Sequence, residues 1–363
     1  MSKRRRPKAR QVQLDLFDLA GSEETTAPTL PAPTRETTIE LPEPPKAAPP
    51  AALATAALAT TKKNPAPVRP APALRSSPLR IAERVADAWH SHHGGGDIAI
   101  PVGVVAALSM FSQWDRNGQD VAAQFLALDA DELLNVLRDL WSCMWVQAPY
   151  LIGTVARPLH WWLYEERTPE RYIVKAVQAV AHAALKGGLL AITGYRAPEM
   201  RTDDDALGLV LTLLRSKGAM SGLAQYFTPG PVCEVMARFV LGNGDDLRAG
   251  MWIGEPAAGT GGMLRAAAVV LRDLGHNPAN FGWGLSELDP IAAACAAVNS
   301  ITWGLGPNVL IHVGNTLAAD DWMALAFKQR ADALDHFENV QFVAATIAAT
   351  EQATALMKKL GAA

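Results

Sequence analysis

The stretch GEPAAGTGGML, from Gly254 to Leu264, contains four glycines and two alanines around one acid, one proline and one threonine. It follows the apolar run MWI and precedes the helix-like run RAAAVVLRDL. Small residues let a ligand approach the backbone closely, and the helix that follows presents N–H groups without partners inside the helix. The stretch therefore predicts a ligand-binding loop between a strand and a helix.

The surrounding residues indicate which ligand this loop would hold. Glu287, in SELDP, follows Gly262 by 25 residues and can accept both hydroxyls of a ribose. Spacing alone leaves NAD, FAD and S-adenosylmethionine open. The loop is not GxGxxG, because EPAAG intervenes, and it lacks the lysine of a P-loop. A glycine loop without phosphate-binding features favours S-adenosylmethionine, which carries no phosphate.

A second candidate segment, AQYFTPGPVCEVMARFV, lies upstream of the loop. Thr228 and Pro229 stand just before a predicted helix, where a hydroxyl and free backbone N–H groups can hold a small carboxylate such as that of a methionine moiety. Taken alone, the segment fits an ordinary helix start with proline in the first turn better.

Short apolar runs alternate with helical ones on both sides of the glycine loop. The runs MWIGE, FGWGLSEL and NVLIHVGN predict strands, and VCEVMARFVLG, GGMLRAAAVVLRDLG and DPIAAACAAVNSITWG predict helices. This alternation is typical of a parallel sheet with crossover helices. We predict an α/β fold in which residues 218–320 form a Rossmann-like S-adenosylmethionine-binding domain with a truncated parallel sheet.

Residues 78–217 predict an α-helical bundle domain, because apolar residues recur at three- and four-residue spacing. Helix starts are predicted at Asp131, at Thr168-Pro169-Glu170 and at the cluster of residues 203–205. Core or inter-domain packing is preferred over base stacking for four tryptophans: Trp141, Trp145, Trp161 and Trp162. A helix C-terminus before GGG is preferred over a metal site for three histidines: His90, His92 and His93.

Both ends of the chain are predicted to lie outside these domains. Residues 1–77 hold 13 of the 25 prolines and predict a disordered tail. Six of its first ten residues are basic, which indicates a solvated segment more often than a nucleic-acid contact. Residues 321–363 predict a C-terminal helical tail.

Composition limits the class of protein. The 363 residues, 49% of them hydrophobic, suffice for two domains with a sizeable core, and the net charge is −3. Cys143, Cys233 and Cys295 predict buried free thiols in a reducing compartment, without metal or disulfide. No apolar run approaches the roughly 18 residues that span a bilayer, and no signal-peptide core follows the basic start, so a cytoplasmic protein is expected.

Four motifs occur in order: QYFTP, EPAAGTGGML, GLSELDP with AAVN, and GNTL. Together they resemble the DNA methyltransferases that modify adenine at N6, above all the modification subunits of type I restriction systems. The resemblance covers residues 203 to about 320. It implies S-adenosylmethionine as the cofactor, DNA as a partner, and a restriction-modification setting with a catalytic or specificity subunit.

The resemblance also implies roles for individual residues. Residues 225–229 would close over the methionine end, with Thr228 toward its carboxylate, and Glu287 would bind the ribose. Glu255 stands where the family usually has aspartate. Asn315 replaces another usual aspartate, near the adenine amino group, and its amide can still accept from N6. The implied cofactor-binding residues are Gln225, Tyr226, Phe227, Thr228, Pro229, Glu255, Ala257, Gly259, Thr260, Gly261, Gly262, Glu287 and Asn315.

The family's catalytic tetrapeptide (Asn or Asp, Pro, Pro, aromatic) has no counterpart here. The only Pro-Pro pairs, at 44–45 and 49–50, lie in the tail and precede no aromatic residue. After Thr316 the chain is expected to be mostly helical, to hold no target-recognition domain, and at most to form a residual fourth strand at ENVQFVAAT. No catalytic residue is predicted.

Two functions follow from this combination. The favoured one is a binding module, a pseudo-methyltransferase that binds S-adenosylmethionine and serves in regulation or assembly of a DNA-associated complex. The alternative is an active DNA adenine-N6 methyltransferase completed by a partner chain. Methylation of a small molecule or a protein is a weaker third option.

A separate motif, QLDLF, lies in the tail and consists of Gln13, Leu14, Asp15, Leu16 and Phe17. It resembles the pentapeptide with which bacterial replication and repair proteins dock on the sliding clamp. Leu16 and Phe17 would be the apolar contacts and Gln13 the hydrogen-bonding one. A short amphipathic turn that packs on its own domain is the competing interpretation.

Overall fold

The computed structural model describes residues 77–111, 121–165, 169–201, 205–215, 228–318 and 321–361. These residues belong to one compact unit, residues 69–363. The predicted tail with its QLDLF motif lies outside the described residues, and so do Gln225, Tyr226 and Phe227. What was predicted for them stays a prediction.

The first half of the described chain is helical, as its spacing of apolar residues predicts. Its α-helices are α1 (Pro78–His93), α2 (Ala99–Ser109), α3 (Val121–Ala127), α4 (Ala130–Gln147), α5 (Arg171–Lys186), α6 (Leu189–Thr193) and α7 (Ala206–Leu214). A π-helical turn lies at Leu151–Val155, and 3-10 turns lie at Arg157–Leu159, Trp161–Leu163 and Pro198–Met200. One face of each long helix faces the core, as in α1, where Ile81, Val85 and Trp89 are fully buried.

Two predicted helix starts are confirmed and one is wrong. Helix α5 begins directly after Glu170, and Asp205 caps α7 by accepting the Gly208 N–H at 2.8 Å. Helix α4 is capped by Asp129 instead of Asp131. The Asp129 carboxylate accepts the N–H of residue 132 at 2.9 Å, and the Glu132 carboxylate accepts the Asp129 N–H at 2.9 Å. This reciprocal capping box fixes the start two residues earlier than predicted.

The side chains singled out in the helical part behave unequally. Trp141 and Trp162 are buried and Trp145 is partly buried, but Trp161 is 50% exposed, so core packing is wrong for Trp161. The three histidines occupy the last turn of α1, which ends at a left-handed Gly94, as predicted. Among the described residues no group of His, Cys, Asp or Glu could hold a metal ion.

The cysteine prediction holds for two of three residues. All three cysteines are free, and Cys233 and Cys295 are buried. Burial raises the pKa of the Cys233 thiol and raises that of Cys295 well above its usual value, so both stay protonated and unreactive. Cys143 is exposed on α4, and burial was therefore wrong for it.

The second half of the described chain contains the predicted sheet. Strands β1 (Trp252–Glu255), β2 (Gly282–Glu287) and β3 (Val309–Val313) are parallel and lie in the order β1-β2-β3. The helices around them are α8 (Gly230–Leu241), α9 (Gly262–Asp273) and α10 (Pro290–Thr302). The observed architecture is mostly helical with a small three-stranded parallel sheet, and the alternation of strands and crossover helices is confirmed.

After β3 the chain forms one long helix, α11 (Trp322–Gly361). The helical prediction for this region is confirmed, and the residual fourth strand at ENVQFVAAT is wrong. That segment lies inside α11, where the Thr346 hydroxyl donates to the Phe342 carbonyl one turn earlier at 2.8 Å. None of the described helices combines the length and the apolar character needed to cross a membrane.

The helices of the first half and the sheet share one hydrophobic core. Tyr150, just before the π-helical turn, shows how closely they are joined. Its hydroxyl donates to the Ile311 carbonyl at 2.9 Å and accepts the Ile311 N–H at 3.0 Å. A side chain thus satisfies the backbone at the outer edge of β3. A division into separate domains at residue 217 stays a prediction.

Candidate cofactor site at the carboxyl edge of the sheet

The predicted site residues meet where the three parallel strands end. Glu255 closes β1, Glu287 closes β2, and Gly314 and Asn315 follow β3. The Gly314 N–H donates to the Glu287 carbonyl at 2.9 Å, and the Ala258 N–H donates to the Ser286 carbonyl at 2.9 Å. These bonds fasten the loops after β1 and β3 to the end of β2. Ligands of open parallel sheets bind at this edge.

The glycine loop connects β1 to α9, as predicted. Gly259 and Gly261 have φ values of 54° and 96°, a region in which glycine is far less strained than other residues. A Cβ at Gly261 would also come within 3.1 Å of the Trp303 ring. Gly261 is the N-cap of α9 and has no side chain to cap the first N–H groups of that helix. The loop therefore leads the chain into an uncapped helix N-terminus.

Glu287 binds the loop directly. One carboxylate oxygen accepts the Gly259 N–H at 2.7 Å, and the other accepts the Asp289 N–H at 2.9 Å. Each carboxylate oxygen can accept a second hydrogen bond, so acceptor capacity remains for hydroxyl groups. The structure thus shows a role in holding the loop that the sequence did not reveal, while ribose binding stays a prediction.

The other predicted residues around the loop are accessible. The Glu255 side chain is half-buried and accepts the Ala257 N–H at 3.1 Å, which folds the loop back on the strand end. Asn315 is exposed, and its amide oxygen accepts the Leu317 N–H at 3.0 Å. The neighbouring Thr316 hydroxyl donates to the Pro256 carbonyl at 2.8 Å. The segment after β3 thus contacts the glycine loop through Thr316 and leaves Asn315 outward.

Thr228 and Pro229 are exposed and precede α8 directly. The Thr228 carbonyl accepts the Cys233 thiol at 3.5 Å. A Cβ built on Gly262 would lie 3.9 Å from the Cys233 sulfur, so the first turns of α8 and α9 are close together. Contact of Thr228 with a ligand stays a prediction.

Thr260 differs from the other loop residues because it is 1% exposed. Its hydroxyl donates to the Asp205 carboxylate, and its carbonyl accepts the Asn299 amide at 2.9 Å. The same amide donates to Asp205 at 3.0 Å. Three residues from α7, the loop and α10 therefore form a closed triangle beneath the loop, and Thr260 supports the loop without facing its open side.

Sequence patterns do not predict this triangle. Asp205 was predicted only as a helix start, and Asn299 only as part of a resembling motif. Desolvation by burial raises the pKa of the Asp205 carboxyl, although hydrogen bonds from Thr260, Gly208 and Asn299 and the charge of Arg265 oppose the rise. Thr260 and Asn299 lie 55 and 94 residues after Asp205 in the sequence, so no local pattern indicates that the three side chains meet.

A buried ion pair lies at the other end of α7 from the triangle. Arg215, directly after α7, binds Asp289, and their side chains are only 4% and 7% exposed. Asp289 also caps α10 by accepting the N–H groups of Ile291 and Ala292 at 3.1 Å each. Helix α7 is therefore attached to the sheet region at both of its ends, by Asp205 and by Arg215.

Comparisons with known proteins agree with this arrangement. Residues 204–345 match the family model of the N-6 DNA methylases. The matched residues include α7 and all three strands, so the chain is similar to the N-6 DNA methylases over this part.

Among solved structures, the chain is similar to the type I restriction-modification system methyltransferase subunit from Streptococcus thermophilus, with 16% identity and a TM-score of 0.39. The similarity covers 67% of this chain and 59% of that one, so the chain spans less than two thirds of that subunit. No curated protein matches the chain.

Proposed function

We propose that the chain binds S-adenosylmethionine at the carboxyl edge of its sheet and does not methylate DNA by itself. The observation that carries this proposal is the position of the Glu287 carboxylate, 2.7 Å from the Gly259 N–H of the glycine loop. An acid at the tip of the second strand, next to a glycine loop that enters a helix, is the arrangement that binds a nucleoside cofactor.

The residues present fit this cofactor. Glu287 offers acceptors for ribose hydroxyls, and Glu255 offers a carboxylate for an ammonium group. The uncapped start of α9 and the Thr228 hydroxyl are suited to a carboxylate. A Cβ built on Gly254 in β1 would meet no atom of the described residues within 4 Å. When bound, S-adenosylmethionine supplies a methyl group on a sulfonium sulfur.

The second half of the proposal concerns the base. An adenine amine becomes nucleophilic when acceptors bind its hydrogens so that the nitrogen lone pair is freed from conjugation with the ring, and when an aromatic side chain holds the base. The family's tetrapeptide supplies these groups, and the sequence lacks it. Among the described residues, the regular elements that follow β3 are a 3-10 turn (Thr316–Ala318) and α11. The proposed role is therefore binding, in regulation or in assembly on DNA.

One labelling experiment tests both halves. The purified chain is incubated with DNA and S-adenosylmethionine tritiated in the methyl group, and label is measured separately on filter-retained protein and on extracted DNA. We expect label retained reversibly on the protein and none on the DNA. No retention contradicts cofactor binding, and labelled DNA contradicts the absence of transfer.

A specific observation favours the alternative, a methyltransferase completed by a partner chain. In the described part of the chain, β1 pairs with β2 on one side and with no strand on the other. Trp252 on β1 is 42% exposed and Met251 before it is 45% exposed. An exposed strand edge with apolar side chains is a site for strand addition. A parallel strand added there would end beside Glu255, at the edge where a base must be held.

Co-expression distinguishes the two functions. A partner polypeptide that carries the tetrapeptide and a recognition domain should co-purify with the chain and support transfer of label to DNA that neither protein shows alone. Trp252→Asp should then abolish co-purification, because a charge on the strand edge opposes pairing. If the mixture labels no DNA, the binding role is retained and the alternative fails.

Docking of QLDLF on a sliding clamp stays a separate proposal, because the motif lies outside the described residues. A fluorescent peptide with this sequence should bind purified clamp, and its Leu16→Ala, Phe17→Ala variant should not. Equal binding of the two peptides would end the idea.

A further inference from the structure

Beneath the glycine loop, on the side that faces the protein interior, three hydrogen bonds are made to one residue, Asp205. Its carboxylate accepts the hydroxyl of Thr260, the side-chain amide of Asn299 at 3.0 Å, and the Gly208 N–H at 2.8 Å. Thr260 and Asn299 are 1% and 4% exposed, so these bonds are shielded from water. The Asn299 amide also donates to the Thr260 carbonyl at 2.9 Å. Both polar groups of Thr260 are thus fixed by this set.

The packing around Asp205 shows that the contact is tight. Gly208 is buried in the first turn of α7, and a Cβ at this position would lie 2.7 Å from the Thr260 hydroxyl oxygen and closer still to the Asp205 carboxylate. The absence of a side chain at Gly208 therefore allows α7 and the loop to touch. Any movement of Thr260 would break bonds on both its hydroxyl and its carbonyl.

Thr260 lies between the two loop residues with positive φ, Gly259 and Gly261. Gly259 donates to Glu287, and Gly261 is the N-cap of α9. Fixing Thr260 therefore fixes the orientation of the N–H groups on either side of it. Both N–H groups are bonded within the site, Gly259 to Glu287 at 2.7 Å and Gly261 to the Ala258 carbonyl at 2.8 Å, so fixing Thr260 fixes the shape of the loop.

We propose that Asp205 is a positioning residue for the glycine loop, which it holds through Thr260 and Asn299 in the conformation that binds the cofactor. This inference rests on the proposed function in one respect, since it takes the loop to be the cofactor loop. Asp205 itself lies beneath the loop and is not assigned a contact with the ligand.

The experiment compares variants of the full chain in two measurements. Hydrogen exchange of the N–H groups of residues 257–262 without cofactor reports loop order, and isothermal titration with S-adenosylmethionine reports affinity. The variants are Asp205→Ala and Asp205→Asn, with Asp129→Ala as a matched control, because Asp129 also caps a helix but does so at the start of α4.

Asp205→Ala should speed exchange of the loop about tenfold more than exchange of the α4 core, and should weaken affinity about tenfold or more, as expected for loss of buried bonds to a charged group. Asp205→Asn keeps an acceptor for Gly208 and Asn299, and should retain most of both properties. Asp129→Ala should not speed exchange of the loop more than exchange of the rest of the protein, and it should leave the affinity for S-adenosylmethionine unchanged. Equal loop exchange in Asp205→Ala and Asp129→Ala would overturn the proposal.

A second pair keeps the test valid if Asp205→Ala does not fold. Thr260→Val removes the hydroxyl and keeps the shape, whereas Thr260→Ser keeps the hydroxyl. Faster loop exchange in Thr260→Val alone supports the proposal, and identical exchange in both overturns it. If the wild-type protein does not bind S-adenosylmethionine, the proposed function is contradicted. The positioning role is still tested in that case, because hydrogen exchange is measured without cofactor.

Discussion

The two sides of the glycine loop have opposite characters. Beneath it, Asp205, Thr260 and Asn299 form a closed set of hydrogen bonds at a site shielded from water. Above it, Glu255, Glu287 and Asn315 are half-buried or exposed and retain acceptor capacity. Groups that are already paired stabilise a conformation, and groups that are accessible and incompletely paired can bind a ligand. The comparison separates residues that shape the site from residues that would contact the cofactor.

The largest expected effect lies at the buried ion pair between Arg215 and Asp289, at the other end of α7 from the triangle. Arg215→Met should lower the free energy of unfolding by about 4 kcal/mol, because it removes the positive charge that faces the buried Asp289 carboxylate. Urea unfolding measures the change. Arg238→Met is the matched control, since its pair with Asp273 is about half exposed and should contribute less than about 1 kcal/mol. Similar losses in both variants would remove the distinction between buried and exposed pairs here.

Asn299→Ala tests the triangle itself. The variant loses two buried hydrogen bonds, to Asp205 and to the Thr260 carbonyl, and should lower the free energy of unfolding by about 3 kcal/mol. Urea unfolding of the variant beside wild type measures the loss. A loss below about 1 kcal/mol would show that solvent replaces these bonds and that the underside is not closed.

Above the loop, a substitution should affect binding more than stability. Glu287→Gln has one acceptor oxygen instead of two, so it cannot hold Gly259, Asp289 and a ribose together. We expect S-adenosylmethionine to bind about tenfold or more weakly, by titration calorimetry. Glu338→Gln, an exposed change on α11, should bind as wild type does. If stability falls while affinity is unchanged, Glu287 supports the loop, as Asp205 and Asn299 do, and does not contact the cofactor.

The pH dependence of stability should carry the signature of Asp205. Burial raises the pKa of this carboxyl, so the folded chain holds the proton more tightly than the unfolded chain does. Its contribution is therefore most favourable below the unfolded pKa of about 4 and declines as pH rises through the folded pKa. Asp205→Asn removes this decline, so the variant should gain stability relative to wild type as pH rises from about 4 through the folded pKa. A difference that is constant with pH would contradict the shift.

The smallest effect is expected at Asn315. Its amide oxygen already accepts the Leu317 N–H and its side chain is exposed, so Asn315→Ala should weaken S-adenosylmethionine binding by less than about fivefold. Titration calorimetry measures the change. A larger loss would assign Asn315 a direct contact with the adenine, as the resemblance implies.

The parts of the molecule that the sequence predicts are those determined locally. All three strands and the glycine loop follow from short apolar runs and small residues. Helix ends depend on single capping residues, which explains the shift from Asp131 to Asp129. The segment ENVQFVAAT has apolar residues suited to a strand, yet it continues α11 because nothing in the chain interrupts the helix before it.

Contacts between distant residues could not be predicted in this way. Tyr150 and Ile311 are 161 residues apart, and Asp205 and Asn299 are 94 residues apart. Each pair depends on how complete elements pack, which one sequence without its fold does not reveal. The sequence therefore predicts the strand ends and the glycine loop, but not the hydrogen bonds among Asp205, Thr260 and Asn299 beneath it.

Isothermal titration of the purified chain with S-adenosylmethionine tests the central claim most directly. The account predicts one site per chain with a dissociation constant on the order of micromolar, corresponding to about −8 kcal/mol, and weaker binding by Glu287→Gln under the same conditions. Absence of binding by the folded wild-type chain, or equal binding by wild type and Glu287→Gln, would contradict it.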